Sequence, residues 1–278
     1  MTALIITSVI WALSFGLLGH YLTSIPSGTV SMLRLLGAFL VFLPFLRFNG
    51  GKTTWGFIGL GAVQFGGMYL CYTEAFHYLP SAQIALLTTL TPLYIILLDG
   101  ILSKHKKLNA HHLIAALLTV LGGGGILWQG WGGADDFWVG CLLVQLSNVC
   151  FAIGQVIYAR LGANWFSTNE RSQFAWLYLG AFLITIPGGL NGIGQLSELN
   201  WHQWGILIYL GAIASGACFF LWNYGARRVT PVQLSIMNNL KIPLATAASL
   251  FIFGESVKLP MLLTGSLLIA SAFFFQKK

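Results

Sequence analysis

Long apolar stretches, separated by short gaps rich in Gly, Pro, Asn and charged residues, fill almost the whole chain. A helix that crosses a membrane needs about 20 mostly apolar residues, and gaps of this composition mark helix ends. The pattern predicts an all-α integral membrane protein. Its ten transmembrane helices are expected over residues 2–22, 29–46, 54–76, 81–103, 109–128, 137–159, 171–190, 202–225, 230–253 and 259–276.

The composition of the 278-residue chain fits lipid better than water as its solvent. Hydrophobic residues make up 56% and charged residues 8%, whereas a soluble domain carries about 25% charged residues. The net charge of +7 comes from cations placed one to three at a time in the gaps, which offers no basic stripe for a nucleic acid. The four cysteines lie in apolar runs without metal-ligand or disulfide spacing, so no metal or cofactor is expected.

The positions of Lys and Arg support the number of spans. With the N-terminus in the cytoplasm, ten spans place eleven cations in inner gaps and only Lys258 in an outer gap. Cytoplasmic segments carry such an excess, so both termini are expected in the cytoplasm. The inner cations are Arg47, Lys52, Lys104, Lys106, Lys107, Arg160, Arg171, Arg227, Arg228, Lys277 and Lys278.

Paired prolines indicate an internal repeat. Pro231 and Pro243 follow Pro80 and Pro92 at the same offset of 151 residues. Five spans per half is an odd number, so the second half must insert in the opposite orientation. This inverted repeat is the plan of many secondary transporters, which bind substrate near the midplane where the halves meet.

The two repeats are expected over residues 1–128 and 137–278. Pro92 and Pro243 lie inside the fourth and ninth spans, so each leaves the carbonyl four residues earlier without its helix partner. Broken backbone at membrane depth is tolerated only where protein or a wet cavity satisfies it. The fourth and ninth spans are therefore predicted to form cavity walls.

Two cations lie inside spans, Lys241 at the centre of the ninth and Arg34 in the outer part of the second. A cation at bilayer depth costs roughly 2.5–3.5 kcal/mol on insertion scales and should face a partner or water. Lys241 is predicted to bind a substrate carboxylate, because Asn238 and Asn239 add a polar patch beside the proline kink. An ion pair with Glu74 or with helix carbonyls is the structural alternative. Arg34 is predicted to line the same cavity or to reach the interface.

Other polar residues within spans extend this candidate site. Glu74, near the outer end of the third span, is the candidate for carrying a coupling proton, with pairing to Arg34 as the alternative. Gln145, Asn148 and Gln155 lie on one face of the sixth span. Such residues join helices or line a pore.

Aromatic residues inside spans complete the candidate site. Trp11 and Trp222 fall within spans instead of at their ends, where an interfacial aromatic belt would place them. With Asn223 and Tyr224 they are predicted to offer stacking surface and hydrogen bonds in the cavity.

Two long stretches resemble the EamA type of the drug/metabolite transporter superfamily. The first is YTEAFHYLPSAQIALLTTLTPLYIILL, residues 72–98, and the second is LWNYGARRVTPVQLSIMNNLKIPLATAASLFIFGES, residues 221–256. The second contains the Gly-Glu pair at 254–255, which the first half lacks. The resemblance implies ten helices, cytoplasmic termini and alternating access around a central cavity.

Shorter strings in both halves resemble the biotin-uptake branch found in enteric bacteria. They are VFLPFLR (41–47), LTPLYI (90–95), LLVQLSNVCFAIGQV (142–156), FAWLYLGAFL (174–183), WNYGA (222–226) and IMNN (236–239). This resemblance implies import of biotin, a small carboxylate, across the bacterial inner membrane.

Two other functions stay open at this stage. The superfamily also contains exporters of amino acids and other metabolites, and direction depends on the driving gradient. A membrane-embedded enzyme is disfavoured, because no titratable cluster or nucleophile–base pair can be argued from spacing. The chain has no phosphate-binding loop, which argues against ATP hydrolysis as the energy source. Coupling to protons and facilitated entry are therefore the two modes of transport considered.

Overall fold

The computed structural model describes residues 1–48, 51–79, 81–102, 110–127, 136–161, 165, 170–252, 259–272 and 274, and all regular structure among them is helical. The helices are α1 Thr2–Tyr21, α2 Ser27–Phe42, α3 Lys52–Gly61, α4 Met68–Glu74, α5 Ser81–Thr88, α6 Thr91–Leu102, α7 Ala110–Leu127, α8 Phe137–Arg160, α9 Glu170–Gly189, α10 Trp201–Ile208, α11 Cys218–Ala226, α12 Pro231–Ile252 and α13 Leu259–Ser271. Several residues used in the sequence argument lie outside the described part: Pro80, Lys104, Lys106, Lys107, Gly254, Glu255, Lys258, Lys277 and Lys278.

Each segment predicted as a span overlaps one of these helices or a run of consecutive ones. Within the described residues, six helical segments are long and apolar enough to cross a membrane: Thr2–Tyr21, Ser27–Phe45, Gln83–Leu102, Phe137–Arg160, Glu170–Glu198 and Trp201–Ala226. Leu113–Gly125 and Leu259–Ser271 are apolar but shorter. The expected all-helical membrane architecture is thereby confirmed at the level of its apolar helices.

The helices pack mainly across the two halves of the chain. α2 lies along α9, α7 lies along α13, and α1 lies along α11 and α12. α8 contacts α4, α5 and α6, while α9 contacts α3. Side chains at the boundary between the two halves are therefore surrounded by helices of both halves.

Small residues allow the closest of these approaches. A Cβ on Gly61 of α3 would meet the backbone of Leu177 on α9, and a Cβ on Gly180 of α9 would meet the backbone of Ile58 on α3. Two glycines that face the partner backbone let the helices approach closely, as is common in membranes.

Two π-helical segments each interrupt a run of α-helix. They span Ala62–Gly67, between α3 and α4, and Tyr209–Ala217, between α10 and α11. In the second segment, the Tyr178 hydroxyl lies 2.7 Å from the carbonyl oxygens of both Ser215 and Gly216. Side chains of other helices thus satisfy carbonyls of the irregular segment, as membrane burial requires.

The helix break between α5 and α6 lies just before Pro92, where the proline position predicts it. The neighbouring carbonyls accept hydrogen bonds from side chains of other helices: Asn148 of α8 donates to Leu87 at 3.0 Å, and Asn239 of α12 donates to Thr89 at 3.0 Å. The break is therefore satisfied by protein and lies beside the space between the halves.

Candidate binding cleft

A cleft opens between helices of both halves. Its polar and charged wall consists of Ser14, Arg34, Thr88, Thr91, Ser147, Asn148 and Lys241. Its apolar and aromatic wall consists of Trp11, Met68, Tyr69, Tyr72, Phe151 and Phe219. Among the described residues that line it, two are cations and none is a carboxylate, so its electrostatic character favours an anion.

Lys241 enters the cleft from the middle of α12. Its side chain is 8% exposed, and its Nζ lies 5.9 Å from the centroid of the Trp11 ring. An aromatic face attracts a cation without neutralising it. The alternative ion pair with Glu74 is not formed, because the Glu74 carboxylate accepts its hydrogen bond from Ser27 at 2.5 Å.

Arg34 is held against the cleft wall by two hydroxyl groups. Its Nη2 donates to the Tyr69 hydroxyl at 2.8 Å and its Nε donates to Ser215 Oγ at 3.3 Å. The guanidinium carbon lies 4.3 Å from the centroid of the Tyr69 ring. The Tyr69 and Ser215 hydroxyls are also 2.8 Å apart. The side chain therefore does not extend to the interface, and Glu74 is not its partner.

Trp11 provides an aromatic face to the cleft. Its indole Nε1 donates to the Ala214 carbonyl at 2.7 Å, so its N–H is already used. Its ring centroid lies 4.7 Å from that of Phe219 and 6.1 Å from that of Phe151. The three rings form an apolar surface beside Lys241.

Asn148 lines the cleft, and Gln145 lies directly behind it. The Asn148 Nδ2 atom is 3.1 Å from Gln145 Oε1, which also accepts from the Tyr94 hydroxyl at 3.0 Å. Thr91 Oγ1 lies 3.0 Å from Asn148 Oδ1. These contacts fix Asn148 on α8 against the break between α5 and α6. Gln155, on the same face of α8, is fully buried and outside the cleft.

Two asparagines predicted for the site lie beside the cleft, not in its lining. Asn239 is fully buried and bonds the Thr89 carbonyl. Asn238 is also fully buried, and neither of its polar side-chain atoms has a hydrogen-bond partner among the described residues. Lys241 is therefore the cleft contact that α12 provides, with the two amides behind it.

The residues predicted from α11 lie deeper or elsewhere. Trp222 is fully buried, with its ring centroid 4.9 Å from that of Trp11. Asn223 exchanges hydrogen bonds of 3.0 and 3.3 Å with Gln64. The Tyr224 ring is 3.4 Å from the guanidinium carbon of Arg228. None of these three predicted residues lines the cleft.

Glu74 also lies outside the cleft lining. Its hydrogen bond from Ser27 places the carboxylate at the first residue of α2, where a negative charge complements the helix dipole. This contact gives the half-buried acid a structural role, and its role in proton coupling stays a prediction.

Several lining residues were not predicted, although the helical spacing contains a signal for some. Ser147 and Phe151 share a face of α8 with Asn148, and Ser14 lies three residues after Trp11 on α1. Extending each predicted residue along its helical face would have found them. Nothing in the sequence distinguishes Met68 from an ordinary core methionine.

Apolar helices arranged around a buried cationic and aromatic cleft, in a chain that matches a transporter family, define a membrane transporter. The chain belongs to the EamA-like transporter family, which it matches over residues 1–128 and 138–276. The family resemblance drawn from the sequence is confirmed.

Relatives with assigned names agree with this membership. The chain is 42% identical to the biotin transporter of Escherichia coli strain K12, over 100% of this chain and 93% of that protein. It is 41% identical to the biotin transporter of Salmonella typhimurium over the same shares. The likeness to biotin transporters indicated by the sequence strings is thus confirmed.

A solved structure shares the fold. It superposes with a TM-score of 0.76, covers 99% of this chain and 94% of its own, and is 18% identical in sequence. At this identity the likeness concerns the fold alone.

Proposed function

We propose that the protein is a secondary transporter that imports biotin across the bacterial inner membrane by alternating access. The observation that carries the proposal is the cleft itself: Lys241 and Arg34 face one space whose described lining holds no carboxylate. Biotin is the substrate assigned to relatives at 42% and 41% identity. It combines a carboxylate with an apolar bicycle and a ureido group, which suits a cationic and aromatic wall.

In this proposal Lys241 pairs with the substrate carboxylate. A cation at membrane depth is costly, and a carboxylate that enters the cleft supplies an opposite charge beside it. The adjacent ring of Trp11 offers its face to the apolar part of the substrate, because its N–H is bonded to Ala214. Asn148 donates its Nδ2 hydrogens to Leu87 and Gln145, so its Oδ1 is the atom that can accept a hydrogen bond from the substrate.

The inverted repeat belongs to the proposal, with one repeat over residues 1–128 and the other over 137–278. Contacts between equivalent helices support it. If the second half repeats the first, the pair α1 and α12 corresponds to the pair α8 and α6, and both pairs are in contact. The two π-helical segments also occupy equivalent places in the third and eighth predicted spans. Such repeats let a binding site at their interface open to either side in turn.

Ten spans with both termini in the cytoplasm complete the proposed topology. The excess of inner Lys and Arg supports this orientation. For the energy source, Glu74 stays the candidate for a coupling proton, and its bond to Ser27 supports a structural role equally well.

The test is uptake of labelled biotin, at nanomolar concentration, by a biotin-auxotrophic bacterium that lacks its own transporter. The chain should confer saturable uptake that unlabelled biotin competes away. Lys241→Ala should reduce apparent affinity about 10- to 100-fold, the value of a lost charge-assisted hydrogen bond. Lys52→Ala, at the exposed start of α3, is the matched control and should transport normally.

Two results would contradict the proposal. No uptake by cells with confirmed membrane expression would exclude biotin import and favour an exporter, which release of labelled amino acids from loaded cells would detect. Normal biotin affinity in Lys241→Ala would remove Lys241 from carboxylate recognition while leaving the transport function in place.

A further inference from the structure

The two cations of the cleft contact different parts of one aromatic wall. Arg34 stacks on Tyr69, and the Tyr69 ring centroid lies 6.0 Å from that of Phe219. Phe219 in turn lies 4.7 Å from Trp11, whose ring is 5.9 Å from Lys241 Nζ. The rings of Tyr69, Phe219 and Trp11 therefore form a continuous row with Arg34 at one end and Lys241 at the other.

We infer that the cleft recognises its substrate at two ends, with Lys241 binding the carboxylate and Arg34 donating to a neutral carbonyl oxygen. The inference rests on the proposed function and adds to it the role of Arg34. The substrate class is a carboxylic acid that carries a urea or amide group at the far end of an apolar body. In biotin that group is the ureido ring.

The contacts of Arg34 leave oriented donors for the second end of the substrate. A guanidinium has five N–H donors in a rigid planar fork. One is bonded to the Tyr69 hydroxyl and one to Ser215 Oγ, so three remain in a direction fixed by these contacts. These oriented donors can bind a carbonyl oxygen in a fixed geometry, and in the proposed substrate the carboxylate pairs with Lys241, so the ureido carbonyl is the acceptor left for Arg34. Lys241 offers a compact charge on a flexible stem, which suits a carboxylate.

A second observation points to a polar group on the ligand. Ser14 lines the cleft and is buried, and its Oγ has no hydrogen-bond partner among the described residues. Buried hydroxyls are normally hydrogen-bonded. A polar ligand group that enters the cleft would supply the partner, since a serine hydroxyl both donates and accepts.

Three ligands separate the two ends experimentally. Biotin has both groups, biotinamide keeps the ureido ring but loses the charge, and lipoate keeps a valerate carboxylate but replaces the ureido ring with an apolar disulfide ring. Their dissociation constants would be measured on purified protein in detergent. The wild-type protein should bind each single-ended ligand about 10- to 100-fold more weakly than biotin, as expected for one lost hydrogen bond to a charged group.

Arg34→Met is the decisive variant. It leaves Tyr69 and Ser215 bonded to each other at 2.8 Å, so no hydroxyl is orphaned, and it removes a buried cation without creating a charge. The preference for biotin over lipoate should fall to less than about threefold, while the preference for biotin over biotinamide should persist. Arg228→Met, which removes an arginine stacked on exposed Tyr224, is the matched control and should keep both preferences.

The outcomes distinguish this inference from the proposed function. The two-ended assignment would be overturned if Arg34→Met lost the preference for biotin over biotinamide, or if it kept both preferences. Biotin transport would stand in either case. Wild-type protein that binds no biotin would defeat the proposed function itself. Should Arg34→Met fail to reach the membrane, Tyr69→Phe removes the hydroxyl that orients Nη2. That variant should lower only the preference for biotin over lipoate, and an unchanged preference would count against the inference.

Discussion

The Tyr178 hydroxyl is the contact through which α9 holds the π-helical segment Tyr209–Ala217. Tyr178 is fully buried, and its hydroxyl lies 2.7 Å from the carbonyl oxygens of Ser215 and Gly216. Ser215 is the residue whose hydroxyl contacts Arg34. Tyr178→Phe removes one oxygen atom and leaves the ring in place, so it tests this contact without creating a large cavity.

The expected cost follows from the burial of the two carbonyls. A buried polar group that loses its partner costs about 1–3 kcal/mol, and in the wild-type protein the one donor that the variant removes serves two acceptors. For chains of 150–250 residues, 1 kcal/mol shifts Tm by about 2–4 °C. Tyr178→Phe should therefore lower Tm by roughly 3–10 °C, with the larger value if no water reaches the carbonyls.

Thermal unfolding of the purified protein in detergent measures the effect. Tyr209→Phe is the matched control, because it also removes one tyrosine hydroxyl, here from the π-helical segment itself, where the half-buried hydroxyl donates a longer bond of 3.2 Å to the Ile10 carbonyl. Its loss in Tm should be clearly smaller. The reasoning is refuted if Tyr178→Phe is no less stable than Tyr209→Phe.

Two further predictions concern helix contacts away from the cleft. Gly61→Ala should lower the yield of folded protein in the membrane, because its Cβ would meet the Leu177 backbone, whereas Gly59→Ala, with no atom within 4 Å of its Cβ, should not; equal yields by immunoblot would contradict the packing argument. Asn223→Ala should destabilise the protein by about 1–3 kcal/mol, since it leaves buried Gln64 without its partner, and replacing both residues by Leu should recover at least half of that loss in the same unfolding assay.

Most of the helical segments could be predicted because length and hydropathy determine them. A stretch such as Phe137–Arg160 has no other way to satisfy its backbone in lipid than an α-helix. The break before Pro92 could also be predicted, because proline removes a helix hydrogen bond. The π-helical segments could not, since their register depends on partners such as Tyr178, which lies far away in the sequence.

The site residues that could be predicted are those whose polarity is unusual inside a membrane helix. Lys241, Arg34 and Asn148 are polar inside apolar spans, and such residues line cavities or pair. Tyr69 and Phe219 gave no such signal, because aromatic residues are common in helix cores. Asn223 was misleading for a related reason, since a buried amide can be satisfied by another helix, here by Gln64.

The equivalent prolines of the two halves have different effects, and the difference gives α12 a special position. α12 continues unbroken through Pro243, whereas the chain breaks before Pro92, where Asn148 and Asn239 bond the neighbouring carbonyls. One of these donors, Asn239, is two residues from Lys241 on α12. A movement of the α12 backbone at Lys241 would also move the amide that satisfies the break. In the proposed mechanism, such a movement would link the cleft through α12 to the backbone of the first half, as a site between alternating halves requires.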